Sequence, residues 1–424
     1  MNCIYTTPIS LTHRLAEIFC ATIIIGLFTK GFLPALSTIG TICLFLTALL
    51  YQVANTKEKA NRSNWVIYMM PTGVFLVHLF SGLNTEVAHR QGLWEDLLLE
   101  SPFLLLPLSF VLLPKWPEQY LNRLFLLFFC LVLLSALGST ANYVLHADEI
   151  NKLYSQSQIM PTVPDYIRFS LMVTFAIVIA VQFVRSKAIT KQKRFALIVS
   201  VTFLVLYLYL LAVRSGLGAF NALGLFAIVW LVWKRREYTQ AIVLATLLIL
   251  LPAMSFFCFP TFRNKYYNTQ YDVAQVQTSG SANNLSLVGR FYSYKVGLQL
   301  VRQYPWFGVG KADMEQEVSY FYRRDYPDID PSSYLMPHNQ FLYYLVAFGC
   351  IGLMAFLYCF YYPLLVAWQQ NSLLLIAHYV IVSCSFIVEF TLDQKNQIGA
   401  MYSILFILLC TANMISSKDK QLNQ

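Results

Sequence analysis

Three side chains stand where chemistry on a charged substrate at a membrane surface would need them: His338, Arg214 and Arg290. His338 sits in Pro337-His338-Asn339-Gln340, where a long polar segment ends and an apolar run opens at Phe341. A histidine there meets water on one side and lipid on the other. Histidine as a residue type can exchange a proton near neutral pH, which suits a general base. Pro337 fixes the approach of the chain, and Asn339 can orient the ring. The plainer reading is an ordinary polar residue at a helix start. Arg214 lies in Ala212-Val213-Arg214-Ser215-Gly216, between two apolar runs. That turn is so short that the guanidinium must stay near the membrane surface. An arginine at mid-bilayer would cost about 2.5–3.5 kcal/mol on insertion scales. At the interface a phosphate would gain a bidentate partner, and the bland alternative is a snorkelling anchor. Arg290 follows Gly289, which lets backbone or ligand come close; otherwise it is an exposed arginine on an amphipathic helix, pairing with lipid phosphate.

Acidic groups near these cations are few. Glu389 and Asp393 bracket the outer end of the eleventh apolar run, where they can orient His338 or hold an arginine. Glu17 and Glu100 fall inside apolar windows and read as buried ion-pair partners. The six histidines include no i, i+4 pair, and the nine cysteines form no CxxC. A zinc site therefore has no support. Most cysteines, among them Cys43, Cys130, Cys350, Cys359, Cys384 and Cys410, lie in apolar runs and read as buried thiols. No Walker-type loop occurs. Asp328 and Asp330 are spaced like a DxD motif, but they sit between two prolines and read as turn formers.

The elements that must hold these residues are membrane spans. Of the 424 residues, 57% are hydrophobic and 12% charged, about half the charge of a soluble domain. The 16% of aromatic residues suits interfacial belts. This is a polytopic, all-α membrane protein. Apolar windows near the ~20 residues a crossing needs fall at 15–32, 34–54, 64–82, 97–114, 124–145, 169–185, 196–213, 218–233, 240–259, 340–368, 373–390 and 399–416. That makes about twelve, the first with no clear cleavage site after it. With both termini inside, sixteen basic residues fall in inner segments, Lys57, Lys59, Arg62 and Lys187 among them, and six in short outer ones. The excess puts both ends in the cytoplasm and the long segment 260–338 on the far side. The formal charge of +9 is then a matter of topology, with no sign of a nucleic-acid partner. The chain divides into spans one to nine (1–259), an outer loop domain (260–338), and spans ten to twelve with a short tail (339–424).

The outer segment is too long for a plain connector. It holds a disorder-like patch from Gln277 to Asn284. Next comes a helical pattern: Leu287, Phe291, Tyr294, Leu298 and Val301 recur at steps of four and three, with Ser286 as N-cap. Such a helix beside a membrane would lie flat, apolar face down. Pro305-Trp306-Phe307-Gly308-Val309-Gly310 stops it and turns the chain. A second helix follows at about 311–324, ending on Arg323 and Arg324, where cations suit a helix C-terminus.

In order and topology these motifs resemble the O-antigen ligase and polymerase superfamily. The likeness rests on Arg214; on Gly289-Arg290; on Pro305 through Gly308 and Gly310; on His338-Asn339 and Leu342; and on Gly349, Gly352 and Leu353. It covers roughly 196–368, and the span layout extends it. Relatives often carry a glutamate two residues before the first glycine of the Gly-x-x-Gly pair; here Ala347 stands there, so the role of that acid in orienting the histidine is either absent or moved, to Glu389 or Asp393. The resemblance implies a GT-C-like membrane glycosyltransferase. It would move O-antigen glycan from an undecaprenyl-diphosphate donor to the lipid A-core of lipopolysaccharide, at the periplasmic face of the bacterial inner membrane. Anomeric configuration would invert, without metal, ATP or other cofactor. In that scheme Arg214 and Arg290 neutralise the departing diphosphate, His338 takes the acceptor's proton, and Asn339, Glu389 and Asp393 give support. The alternatives are a polymerase extending the lipid-linked glycan, a protein O-oligosaccharyltransferase, and, from another class, a flippase or transporter.

Overall fold

The computed structural model describes residues 6–54, 64–186 and 189–422. Lys57, Lys59, Arg62 and Lys187, counted above as inner charges, lie outside them. The described residues form helices and no strands. In chain order these are α1 (Thr6–Thr29), α2 (Leu36–Ala54), α3 (Trp65–Met69), α4 (Thr72–Ser81), α5 (Arg90–Glu100), α6 (Pro102–Leu112), α7 (Glu118–Leu145), α8 (Ala147–Ser155) and α9 (Tyr166–Arg185). There follow α10 (Lys191–Leu211), α11 (Arg214–Trp230), α12 (Tyr238–Cys258), α13 (Pro260–Ala274), α14 (Ser286–Gln303), α15 (Met314–Asp325), α16 (Gln340–Gln369), α17 (Leu373–Val388) and α18 (Ile398–Leu422).

Nine of the described helices are long and apolar enough to cross a membrane: α1, α2, α7, α9, α10, α11, α12, α16 and α18. The chain is a multi-pass, all-α membrane protein. The other three apolar windows yield shorter helices, for local reasons. Window 64–82 breaks into α3 and α4 at Pro71, which lacks an amide to donate. Window 97–114 takes in the end of α5 and then α6, which opens on Pro102 and contains Pro107. Window 373–390 becomes the 16 residues of α17 and stops just before Glu389.

The residues group into two compact units. The first holds 1–124, 275–376 and 386–424; the second holds 125–274 and 377–385. In the first, α18 is apolar all round and buried along its whole 18-residue window, as expected of a helix with neighbours on every side. It packs on α1, α6 and α16, while α16 packs on α4 and α14. In the second unit, α9 packs on α10 and α11, and α12 on α11 and α13. Asp165 caps α9 by accepting from the Arg168 amide. A tight turn joins α10 to α11 through Ala212, at φ 50°. The last carbonyls of α10 are satisfied by side chains: Thr261 Oγ1 donates to Leu210 O at 2.6 Å and Tyr154 hydroxyl to Leu211 O at 2.8 Å.

The break in α16 is the main irregularity of the first unit. Gly349 is non-helical, with φ 66° and ψ −170°. In an unbroken helix the amides of residues 350 and 351 would donate to the carbonyls of 346 and 347. Here both pairs turn to the Pro305–Gly310 segment. Cys350 N donates to Pro305 O at 2.8 Å and Ile351 N to Trp306 O at 3.3 Å. Val346 O accepts from Val309 N at 2.9 Å, and Ala347 O from Gly310 N at 3.0 Å. A side chain at Gly308 would meet the Ala347–Phe348 backbone, and one at Gly349 would meet the Trp306–Phe307 backbone. Both glycines have positive φ, so each motif supplies the backbone freedom and the space the other needs.

Segment 260–338 differs from its sequence reading in two respects. The disorder-like patch is ordered: Ser279 donates to Asp328, and Asn283 donates to Asp328 O and accepts from Asp330 N. Asp328 and Asp330 thus hold that patch as well as turning the chain. The helix at 286–303 forms, and the face opposite the apolar stripe is the one that packs inward. Val288, Tyr292, Val296 and Leu300 are buried, with Gly289, Ser293 and Gly297 beside them. Leu287, Phe291, Tyr294, Leu298 and Val301 are half-buried or exposed. Leu285, without a side-chain cap bond, takes the N-cap position expected for Ser286. The thiols are also less buried than their apolar setting suggests. Cys20 and Cys410 are buried, but Cys130 and Cys258 are exposed on helix surfaces, as lipid-facing positions allow.

Candidate active site

Three segments of the first unit converge on one carboxylate. The small face of α14 lets the 335–342 strand of chain come close: a Cβ at Gly289 would touch Leu335, and one at Gly297 would touch Pro337 and Leu342. That approach sets Arg290, on α14, near His338, just before α16. Glu389, the first residue after α17, lies between them. Its Oε1 is 2.5 Å from Arg290 Nη2, and its Oε2 is 3.0 Å from His338 Nδ1. Gln394 Nε2 also donates to Oε2, at 3.1 Å. The Glu389 side chain is only 2% exposed, against 17% for His338 and 27% for Arg290. The acid is therefore enclosed while the two groups it holds reach the surface.

The histidine is fixed at several other points. Tyr294 hydroxyl donates to His338 O at 2.7 Å. Asn339 caps α16, its Oδ1 accepting from Leu342 N at 3.0 Å, while its Nδ2 donates to Ile387 O. Asn339 thus fixes the backbone around His338 and does not touch the ring. The Phe390 ring meets the imidazole edge-on at 5.2 Å. With its Nδ1 proton donated to Glu389, the imidazole presents the lone pair of Nε2, which forms no hydrogen bond with the described residues. That is the arrangement of a general base oriented by a carboxylate.

Asp393 holds a lysine in place of an arginine. Lys311 Nζ is 2.9 Å from Asp393 Oδ1 and 2.5 Å from the Tyr343 hydroxyl. Gln340 Nε2 donates to Asp393 Oδ2, and Gln340 Oε1 accepts from Leu392 N at 2.9 Å. His78 Nε2 lies 3.3 Å from Asp393 Oδ1. Burial lowers the Lys311 ammonium, but Asp393, Tyr343 and Asp96 outweigh it and hold the group well above its ordinary value. Burial raises Asp393, yet Lys311 and His78 bring its carboxyl below the usual range.

Arg214 belongs to the second unit. It opens α11, and its Nη2 is 3.3 Å from Asp272 Oδ2, a carboxylate 2% exposed beside a guanidinium 30% exposed. Glu17 pairs with Arg123 at 2.8 Å. Two groups of described residues have ligand types and spacing that suit a cation: His78, Glu100 and Asp393, and Glu86, His89 and Asp313, each with donor atoms within 4.8 Å of one another. In the first, Asp393 already carries the Lys311 ammonium. In the second, His89 Nδ1 bonds directly to Asp313.

The family model described as O-Antigen ligase matches residues 195–357. Across that segment the chain is similar to the O-antigen ligase family. No curated protein matches the chain. The matched segment takes in Arg214, Arg290, the Pro305–Gly310 run, His338 and the Gly349 break, the positions that carried the resemblance. Glu389 and Asp393 fall after it, so the acid that joins Arg290 and His338 comes from outside the matched segment. Lys311 and Gln340 lie inside it and went unread. Lys311 directly follows the Gly-x-Gly run, and a lone lysine in a polar loop gives no signal of burial.

Proposed function

We propose that this protein is a membrane glycosyltransferase that transfers O-antigen glycan from undecaprenyl diphosphate to the lipid A-core of lipopolysaccharide, at the periplasmic face of the bacterial inner membrane. The observation that carries the reading is the single Glu389 carboxylate holding both Arg290 and His338. The acceptor hydroxyl must lose a proton as it attacks the anomeric carbon, and His338 Nε2 accepts it. The imidazolium that forms is stabilised by Glu389. The C–O bond to the diphosphate breaks on the opposite face, so configuration inverts. Negative charge grows on the departing diphosphate, and Arg290 meets it with guanidinium donors. The bilayer contributes orientation, because donor and acceptor are both lipids held in one leaflet.

The lipopolysaccharide of a deletion strain tests this reading. A ligase leaves core without any attached glycan and accumulates polymeric lipid-linked glycan. A core carrying a single repeat unit would make the protein a polymerase and overturn the acceptor assignment.

A further inference from the structure

Lys311, with Asp393 7% exposed beside it, is a buried ion pair that the proposed chemistry leaves unused. Its place in the chain suggests its purpose. Lys311 comes directly after Gly310, whose amide is bonded to Ala347 O at the break in α16. Asp393 stands four residues after Glu389. Between them, Leu392 N is held by Gln340 Oε1, and the same Gln340 donates to Asp393. Thr391 in that turn is buried. We infer that Lys311 is a positioning residue: its ion pair with Asp393 fixes the 389–393 turn, and so fixes the Glu389 carboxylate on which His338 and Arg290 both rest.

A second route leads to the same ring. Lys311 Nζ donates to the Tyr343 hydroxyl and lies 4.6 Å from that ring's centroid. Tyr343 is stacked on Phe390 at 5.0 Å with the planes 2° apart, and Phe390 meets His338 edge-on. One ammonium thus restrains both the acid that orients His338 and the aromatic that backs it. The raised Lys311 and lowered Asp393 agree with a pair that stays charged at neutral pH. The helix-breaking Gly-x-Gly run also gains a purpose, because it delivers this lysine to the outer turn.

The inference builds on the reading of His338 and Glu389 given above, and its test separates the two. The full chain, purified in detergent, is treated with diethyl pyrocarbonate, and carbethoxylation of each histidine peptide is followed by mass spectrometry. Glu389→Gln, which frees the imidazole, sets the reference and raises the His338 rate. Lys311→Met and Asp393→Asn raise it in the same direction, by about threefold or more, within the span of neighbour coupling. The double variant does no more than the larger single one, because the two residues act as a unit. His378, buried in the other unit, stays protected throughout. A wild-type His338 rate in both single variants, beside a raised one in Glu389→Gln, overturns the inference. So does reactivity gained at His378 in step with His338, which would make Lys311 a general stability residue. Transfer is measured in parallel with polyprenyl-diphosphate-linked glycan and glycan-free lipopolysaccharide in vesicles, and kcat falls in Lys311→Met with little change in donor KM. Absence of transfer by the wild-type protein would count against the functional reading, while the carbethoxylation rates still decide the role of Lys311.

Discussion

At Glu389 one carboxylate serves two partners with different tasks, and this sets what each substitution does. Arg290 commits one end of its guanidinium to Oε1. The remaining N–H groups of the planar fork stay available for phosphate oxygens. A lysine in its place has a single nitrogen and cannot present the same fork to the acid and the diphosphate together. Arg290→Lys is therefore expected to lose nearly as much transfer as Arg290→Ala, the two within about tenfold of each other. His338→Ala removes the base and lowers kcat by about 10²–10⁴-fold, with lipid-linked donor still bound. Steady-state kinetics in vesicles checks both. Full activity in Arg290→Lys would reduce Arg290 to an anchor, and normal capping of lipid A-core by His338→Ala would remove the base assignment.

At the scale of elements, the junction of α16 with the Pro305–Gly310 segment is the most demanding piece of backbone in the first unit. Gly349→Ala would place a methyl against the Trp306–Phe307 backbone at a positive φ. That backbone, at φ 66° and ψ −170°, lies in a region essentially reserved for glycine and costs about 1–3 kcal/mol for a residue with a Cβ, and backbone on the far side cannot move aside as a side chain would. Both transfer activity and thermal stability should fall. By contrast, Gly138→Ala inside α7, where nothing lies within 4 Å of the added atom, should leave transfer unchanged and raise thermal stability slightly. Differential scanning fluorimetry in detergent compares the two. The same junction marks how far the sequence could be read. Gly308, Gly310, Gly349 and Gly352 are visible as motifs, and His338 announces itself at a polar-to-apolar boundary. Nothing in spacing says that the glycines of one motif accept the backbone of the other, since that pairing joins residues about forty apart. The α14 stripe shows which face turns outward but not what packs on the other. In a soluble helix the apolar face is the buried one, but beside lipid the large apolar residues can face outward, and Gly289, Ser293 and Gly297 pack inward. Twelve windows became nine full-length helices because hydropathy does not register where Pro71 and Pro102 interrupt the hydrogen-bond ladder.

For the whole molecule, charge and ions decide two outcomes. The proposed mechanism uses guanidinium groups where another enzyme would use a metal, so transfer is expected to persist in EDTA. The His78–Glu100–Asp393 and Glu86–His89–Asp313 groups give that measurement force, since a collapse restored by Mg²⁺ would point to one of them. The pH dependence of stability follows from Lys311 and Asp393. The Asp393 carboxyl is lowered on folding, so its contribution is present above the ordinary aspartate value, about 4, and is lost as pH falls through the lower folded value. The Lys311 ammonium is raised, so its contribution is complete below the ordinary lysine value, about 10.4, and is lost as pH rises through the folded value. Between these limits the pair should stabilise the protein at a constant level. The gap in Tm between wild type and Asp393→Asn should therefore stay level from about pH 5 to pH 9 and narrow in more acid solution. The narrowing reports Asp393 together with the neighbours its charge acts on, Glu100, Asp96 and His78. A gap that stayed the same down to the acid limit of the fold would mean that folding leaves the Asp393 carboxyl at its ordinary value, and that Lys311 does not hold its charge.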